Sequence, residues 1–173
     1  MIVCETERLL VRYLRDEDFE DFYAICSDPV VTRYVGEGTP LSAEQTRQWL
    51  QISKENYRIR GYGCFAIIQR KDCQFIGFGG IARPSDKEQV EIIYAFKQPC
   101  WGQGLATEFA RALLISCFER WKFPRIEATI YPQNQASARV LEKAGMQFVH
   151  TFIDEDGQPV SLYALDNPVR AAS

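Results

Sequence analysis

The stretch "CWGQGLATEF" at residues 100–109 places two glycines two positions apart, directly before a segment with the composition of a strong helix. Glycine beside a helix is costly unless the backbone needs a positive φ or another group must approach closely. The first N–H groups of a helix have no partner within it, and the helix dipole favours negative charge there. The segment therefore has the features of an anion-binding turn, although a tight strand-to-helix turn without a ligand fits the same residues.

Two well-known phosphate-binding loops do not fit this stretch. A P-loop requires a lysine after its last glycine, and no lysine follows Gly104. A dinucleotide-binding loop needs a third glycine where Thr107 stands, and an acidic residue near the end of the next strand, whereas Glu127 falls early in its strand.

The overall composition predicts one packed domain spanning residues 1–173. The chain has 173 residues, of which 46% are hydrophobic and 13% aromatic, enough to build a substantial core. The net charge of -3 offers no basic surface of the kind that nucleic acid requires. The absence of a signal-like start and of a long apolar run predicts a cytoplasmic protein without membrane contact.

The cysteines and the single histidine do not form a metal-binding pattern. Six cysteines are irregularly spaced without a C-x-x-C pair, and only His150 accompanies them. We therefore expect no metal site and mostly buried, reduced thiols. His150 lies in a predicted strand, where we expect a structural rather than a catalytic imidazole.

Alternation and turn residues predict a sheet whose strands are mostly joined by short polar connectors. The predicted strands are 8–14, 64–69, 75–82, 89–96 and 125–131, followed by a hairpin of "QFVHTFI" and "VSLYALD" around Asp156 and Gly157. Such a series indicates an α+β domain with one mixed, mostly antiparallel sheet flanked by helices.

Capping residues and hydrophobic spacing predict the helices. Asp16 is the expected N-cap of a helix to about Ser27, and residues 27–40 form a loop or broken helix. Ser42 and Gln45 have capping-box spacing and open a helix towards Arg60. The helix after the glycine loop has a broad apolar face that includes Leu105, Phe109, Leu113, Cys117, Trp121, Ala106, Ala110, Leu114 and Phe118. Asn134 caps the last helix, and Gly145 ends it.

Four stretches of the chain follow one another in a known order: "ETERLLVRYLRDED" (5–18), "SDPVVTRYV" (27–35), "YAFKQPCWGQGLATEFARAL" (94–113) and "RIEATIYPQNQASARVLEKAGM" (125–146). In this order they resemble the GNAT superfamily of N-acetyltransferases, most closely its RimJ/RimL-like group, which acetylates ribosomal proteins. Within them, "WGQGLA" (101–106) resembles the family's pyrophosphate loop, with Trp101 in place of its usual Gln or Arg.

The resemblance implies a GNAT-like fold and acetyl-CoA as the acetyl donor. It implies that the strand at 89–96 splays from the strand at 125–131, so that pantetheine pairs with exposed backbone. The implied cofactor-binding residues are Tyr94, Ala95, Phe96, Trp101, Gly102, Gln103, Gly104, Leu105, Ala106, Thr107 and Asn134.

The resemblance also suggests the catalytic groups. Glu91 is the first candidate for a general base and Glu127 the second, although a strand carboxylate is often only solvated or ion-paired. Leu141 stands where many family members carry a tyrosine that protonates the leaving thiol. Ser137 remains as the group that hydrogen-bonds the departing sulfur, and with Asn134 it also fits a helix cap. A backbone N–H near Phe96 would contact the oxyanion.

The acceptor is left open by the sequence. Ribosomal-protein N-termini, other peptides and small amines all remain candidates, and a second copy of the chain remains open as a partner. Glu37, Asp154, Glu155 and Asp156 could favour a cationic acceptor, although charged hairpin tips are usually only solvated. The competing interpretation is a non-catalytic acyl-CoA-binding or regulatory domain.

Overall fold

The computed structural model describes residues 1–83 and 89–168. The strands are β1 (Ile2–Glu5), β2 (Leu9–Tyr13), β3 (Cys64–Gln69), β4 (Gln74–Ala82), β5 (Val90–Phe96), β6 (Arg125–Ile130), β7 (Gln147–Ile153) and β8 (Pro159–Asp166). The helices are α1 (Phe19–Cys26), α2 (Pro29–Thr32), α3 (Ala43–Arg60), α4 (Leu105–Glu119) and α5 (Gln135–Ala144), with short 3-10 turns at Asp16–Asp18 and Gln98–Cys100.

The eight strands form one sheet in the order β1-β2-β3-β4-β5-β6-β8-β7. Every neighbouring pair is antiparallel except β5 and β6, which run parallel. The predicted α+β class with a mixed, mostly antiparallel sheet is therefore confirmed.

The parallel pair at the centre of the sheet is short. Among the described residues, Val90 pairs with Ile126 and Glu91 with Glu127, after which β5 and β6 continue without pairing to each other. The strands therefore splay, as the family resemblance implies, and the sheet has a gap along the later residues of both strands.

Helices cover the two faces of the sheet unequally. On one face, α4 and α5 contribute Phe109, Leu113 and Leu141 to a large core, and all three side chains are fully buried. On the other face, α1 and α3 contribute Phe22 and Leu50 to a second core over β3 and β4. The apolar ridges predicted for α4 are confirmed, because they form the face of the helix that is buried in the first of these cores.

Several predicted helix ends and one predicted turn are confirmed. Ser42 and Gln45 form the predicted capping box of α3, and the Asn134 side chain accepts a hydrogen bond from the backbone N–H of Ser137 at the start of α5. Gly145 ends α5 with a φ of 101°, and Gly157 adopts 74° in the turn between β7 and β8. The predicted connector at 83–89 lies largely outside the described residues.

Two local predictions fail at the amino-terminal end. Asp16 is not an N-cap, because its carboxylate pairs with Lys54 Nζ at 2.7 Å, and α1 begins only at Phe19. Asp18 instead accepts a hydrogen bond from the backbone N–H of Arg15 and an ion pair from Arg12. Strand β1 was not predicted, because its four residues carry too short a pattern for alternation to be recognised.

Candidate active site

A cavity of about 550 Å³ occupies the gap between β5 and β6. Its walls come from residues 92–96 of β5, residues 128–130 of β6, the glycine loop before α4 and one side of α5. On the opposite face of the sheet, the wall is formed by α2 and the residues after it, from Val30 to Gly36. The cavity therefore connects the two faces of the sheet through the splay.

The glycine loop adopts the backbone that its sequence predicts. Gly102 and Gly104 have φ values of 73° and 77°, and Gly104 is the left-handed N-cap residue of α4. Its position leaves the first N–H groups of α4 without side-chain caps, at the cavity wall. These groups can bind an anionic ligand such as a pyrophosphate.

Side chains around the loop fix its conformation. The half-exposed Trp101 donates its indole N–H to the Phe96 carbonyl at 2.8 Å, which ties the loop to the end of β5. Gln103 donates its amide to the Pro99 carbonyl at 2.6 Å and is not among the described residues that line the cavity. Trp101 also lines the cavity, so its expected contact with the cofactor stays a prediction beside this structural contact.

Arg8 and Glu108 brace the loop from the side of β1 and β2. Arg8 donates to the Gln103 carbonyl at 2.9 Å and pairs with Glu108 at 2.6 Å. Burial favours the neutral form of Glu108, but hydrogen bonds from Thr6 and Arg8 outweigh it and lower the pKa of this carboxyl. Sequence reasoning missed this brace, because the two residues are 100 positions apart.

The backbone of β5 directs polar groups towards the gap left by β6. Lys97 donates its N–H to the Ile76 carbonyl at 2.8 Å, which fixes the register with β4. Because backbone direction alternates in an antiparallel pair, the odd-numbered residues of β5 bond to β4, and Ile92, Tyr94 and Phe96 point their backbone groups towards β6. A pantetheine arm lying in the gap can therefore pair with this edge of β5.

Tyr94 and Ser137 join the two walls of the cavity. The Tyr94 hydroxyl lies 2.7 Å from Ser137 Oγ, and both residues line the cavity. Burial raises the pKa of Tyr94 to about 12, although the hydrogen bond with Ser137 opposes this rise. The phenol is thus a stable hydrogen-bond partner for Ser137. Sequence analysis predicted a role only for the backbone of Tyr94, not for its hydroxyl.

The two candidate bases lie side by side where β5 and β6 still pair. Glu91 and Glu127 are register partners, and both are half-buried. Glu127 accepts a hydrogen bond from Arg125 Nε at 3.1 Å, and Arg125 also pairs with Asp166. Neither glutamate is among the cavity-lining residues, so each would reach a substrate through water or a further group.

Two basic side chains on α5 also line the cavity, Arg139 and Lys143. Both are exposed, and neither makes an ion pair within the described part of the chain. They stand four residues apart on one side of α5 and can bind phosphate groups. Their four-residue spacing within the predicted helix that Asn134 caps is the sequence signal that could have identified these two residues.

The acidic residues proposed for acceptor recognition are not among the described residues that line the cavity, and Glu37 comes directly after the lining residue Gly36. Asp154 accepts hydrogen bonds from the backbone N–H groups of Asp156 and Gln158 and thereby stabilises the turn between β7 and β8. Among the described residues that line the cavity there is no aspartate or glutamate. His150 lies exposed on β7, so the expectation of a structural imidazole stays a prediction.

Neither the cysteines nor the other potential metal-binding side chains form a second site within the described residues. All six cysteines are unpaired, and burial raises the pKa of Cys4 to about 11 and of Cys26 to about 12. Within the described ranges, no group of three potential metal-binding side chains is present. No described helix is long and apolar enough to cross a membrane.

Comparisons with known proteins agree with the fold and the loop. Residues 8–147 match the acetyltransferase (GNAT) domain family, and the chain belongs to that family. The uncharacterized protein YkkB of Bacillus subtilis is 33% identical over 91% of this chain and 92% of its own length.

Solved structures give the same result. A GNAT-family acetyltransferase from Bacillus anthracis has a TM-score of 0.83 and 28% identity, covering 96% of this chain and 99% of its own. RimL, a ribosomal L7/L12 α-N-protein acetyltransferase solved with coenzyme A, shares the fold with a TM-score of 0.82 at 18% identity, covering 96% and 98%. The protein is an acetyltransferase of the GNAT family.

Proposed function

We propose that this chain transfers an acetyl group from acetyl-CoA to a primary amine by direct attack within the gap between β5 and β6. The observation that carries the proposal is the cavity that connects both faces of the sheet at this gap. Acetyl-CoA lies on the face with α4 and α5, and the amine enters from the face with α2. The two substrates then meet without a covalent enzyme intermediate.

The donor side supplies three kinds of contact. The backbone N–H groups from Gly102 through Thr107 bind the pyrophosphate; they belong to the glycine loop and to the first turn of α4, which contains Leu105 and Ala106. The backbone groups of Tyr94 and Phe96 that point into the gap pair with pantetheine, and Ala95 between them also lines the cavity. Arg139 and Lys143 of α5 add positive charge to the lining, which also includes Asn134 and Ser137.

Deprotonation of the amine is the task of Glu91, acting through water. An α-amino group has a pKa near 8 and a lysine near 10.4, so a base accelerates attack at neutral pH. Glu91 remains the first candidate and Glu127, which pairs with Arg125, the second. A backbone N–H directed into the gap near Phe96 stabilises the oxyanion.

The leaving thiolate is stabilised by Ser137. Leu141 is fully buried and its side chain has no ionisable proton, so it cannot protonate the thiolate as a tyrosine does in many family members. Either hydroxyl of the Tyr94–Ser137 pair can be the donor; when the Tyr94 O–H donates to Ser137 Oγ, the Ser137 O–H is left to point at the sulfur. A hydroxyl pair of this kind stabilises the thiolate by hydrogen bonding.

The acceptor that best fits the cavity is a peptide amino terminus of the kind RimL acetylates, rather than a polycationic amine. On the acceptor side, the described lining carries the basic side chain of Arg33 and no carboxylate, whereas Arg139 and Lys143 belong to the donor side. An acceptor with several positive charges would meet Arg33 there and find no carboxylate to pair with. The RimL-like fold supports a RimJ/RimL-like role. The cytoplasmic location and a homodimer stay predictions.

The test is thiol release from acetyl-CoA by the purified protein. We expect release with peptides that have a free amino-terminal alanine, less with polyamines, and none with the same peptides blocked at the amino terminus. Binding of acetyl-CoA without thiol release by any amine would instead identify a non-catalytic acyl-CoA-binding domain.

A further inference from the structure

Thr129 in β6 has a buried hydroxyl without a partner. Within the described residues, its Oγ1 is the one buried side-chain nitrogen or oxygen that makes no hydrogen bond. Thr129 also lines the cavity in the gap between β5 and β6. An orphaned polar group in a binding cavity points to a ligand that completes it.

The direction of β6 places Thr129 on the face opposite α4 and α5. Ile126 and Ala128 are buried in the core beneath those helices. Since side chains alternate along a strand, Thr129 lies on the other face with Glu127. This is the face from which the acceptor amine enters under the proposed function.

The neighbouring wall of the acceptor side is fixed close to Thr129. Tyr131 packs its ring against Tyr34, with 6.3 Å between centroids, and donates its hydroxyl to the Gly36 carbonyl at 3.3 Å. The segment after α2 is thereby held against the end of β6, two residues beyond Thr129. Thr129 therefore lies at a formed part of the acceptor wall, with its hydroxyl turned away from the cavity in the observed rotamer.

The orphaned hydroxyl has a free-energy cost in the unliganded protein. A buried hydroxyl without a partner loses its hydration and gains nothing in return. Rotation about χ1 exchanges the positions of the hydroxyl and the methyl group on the same Cβ, which can turn the hydroxyl into the cavity. A ligand that supplies an N–H donor there removes the cost.

We propose that Thr129 Oγ1 accepts a hydrogen bond from the acceptor amine and orients it for attack. This inference rests on the proposed function and names a further residue of the same site. One N–H of the neutral amine donates to Oγ1, and the nitrogen lone pair is left to face the thioester carbonyl. Thr129 thus affects acceptor binding, while the donor contacts lie on the other face.

Thr129→Val tests the proposal, because it removes the hydroxyl and keeps the shape. We expect the KM for the peptide amine to rise about 3- to 10-fold, with an unchanged Kd for acetyl-CoA. The melting temperature stays the same or rises, since no hydrogen bond is lost. Thr129→Ser retains the hydroxyl and should restore KM to within about twofold.

Thr151→Val is the matched control, because Thr151 Oγ1 in β7 already has a partner in Ser161 Oγ at 3.2 Å. Its KM should match that of the wild type. An unchanged KM in Thr129→Val, a failure of Thr129→Ser to restore it, or a lower melting temperature in Thr129→Val would overturn the proposal. Thiol release by the wild-type protein would still stand, so this failure is distinct from failure of the proposed function.

Discussion

The two sides of the cavity are built differently. The donor side is a continuous unit: the loop of Gly102 and Gly104 opens α4, Trp101 ties it to β5, and Arg8 braces it. The acceptor side consists of the one-turn helix α2 and the loop after it, held to β6 through Tyr34 and Tyr131. The difference suggests that the donor site is preformed, whereas the acceptor side sets specificity with few contacts.

The largest effect should come from the base between the two sides. Glu91→Gln should lower kcat about 100-fold at neutral pH and leave the Kd for acetyl-CoA unchanged. The deficit should shrink as pH rises, because the free amine becomes populated without a base. Glu127→Gln is the matched comparison and should cost less. Steady-state kinetics over pH measure both, and a pH-independent loss in Glu91→Gln would move the base to Glu127 or to solvent.

The donor loop should show the next largest effect. Gly104→Val should raise the Kd for acetyl-CoA at least about tenfold, because a β-branched residue resists the left-handed backbone. An added Cβ would meet only Arg8 Nη2, at 3.6 Å, so the fold should remain intact.

Gly157→Val is its control, since Gly157 has a similar φ of 74° in a turn outside the cavity. Calorimetric titration of both variants should show a loss of affinity in Gly104→Val only. An unchanged Kd in folded Gly104→Val would refute the pyrophosphate assignment.

A smaller effect should appear at the leaving group. Ser137→Ala should lower kcat about 10-fold with an unchanged Kd for CoA, because the thiolate loses one hydrogen bond. The Asn134 cap survives, since it binds the backbone N–H of residue 137. A lower melting temperature with normal turnover would show that Ser137 is only structural.

Tyr94→Phe sharpens that test. In the wild-type protein the pKa of the Tyr94 hydroxyl is raised to about 12, so the folded state favours the neutral phenol. This contribution to stability is present below about pH 10 and is lost above about pH 12. The loss of kcat in Tyr94→Phe should therefore be smaller than in Ser137→Ala and constant between about pH 6 and pH 9.

The smallest effect should come from the α5 cations. Arg139→Ala should raise the Kd for acetyl-CoA about threefold at low salt and less at high salt, since exposed charges are screened. Lys71→Ala removes an exposed lysine outside the cavity and should change nothing. Equal losses in both variants would assign the effect to overall charge.

Local patterns explain which parts were predictable. The glycine loop, the cap of α3 and the cap of α5 depend on residues within a few positions, so sequence alone identified them. The brace of Arg8 with Glu108 and the contact of Tyr94 with Ser137 join residues 100 and 43 positions apart. Spacing within one element cannot reveal such pairs. The orphaned hydroxyl of Thr129 is likewise a property of packing.

The central claim is that donor and acceptor meet in the gap between β5 and β6. It is tested most directly with a bisubstrate ligand, in which an acetyl linker joins the CoA sulfur to the amino terminus of an alanine peptide. Titration should give a Kd at least about tenfold lower than for CoA, because one molecule occupies both sides. Gly104→Val should weaken binding of the conjugate, and Thr129→Val should remove part of its advantage over CoA. A conjugate that binds no more tightly than CoA would contradict the account.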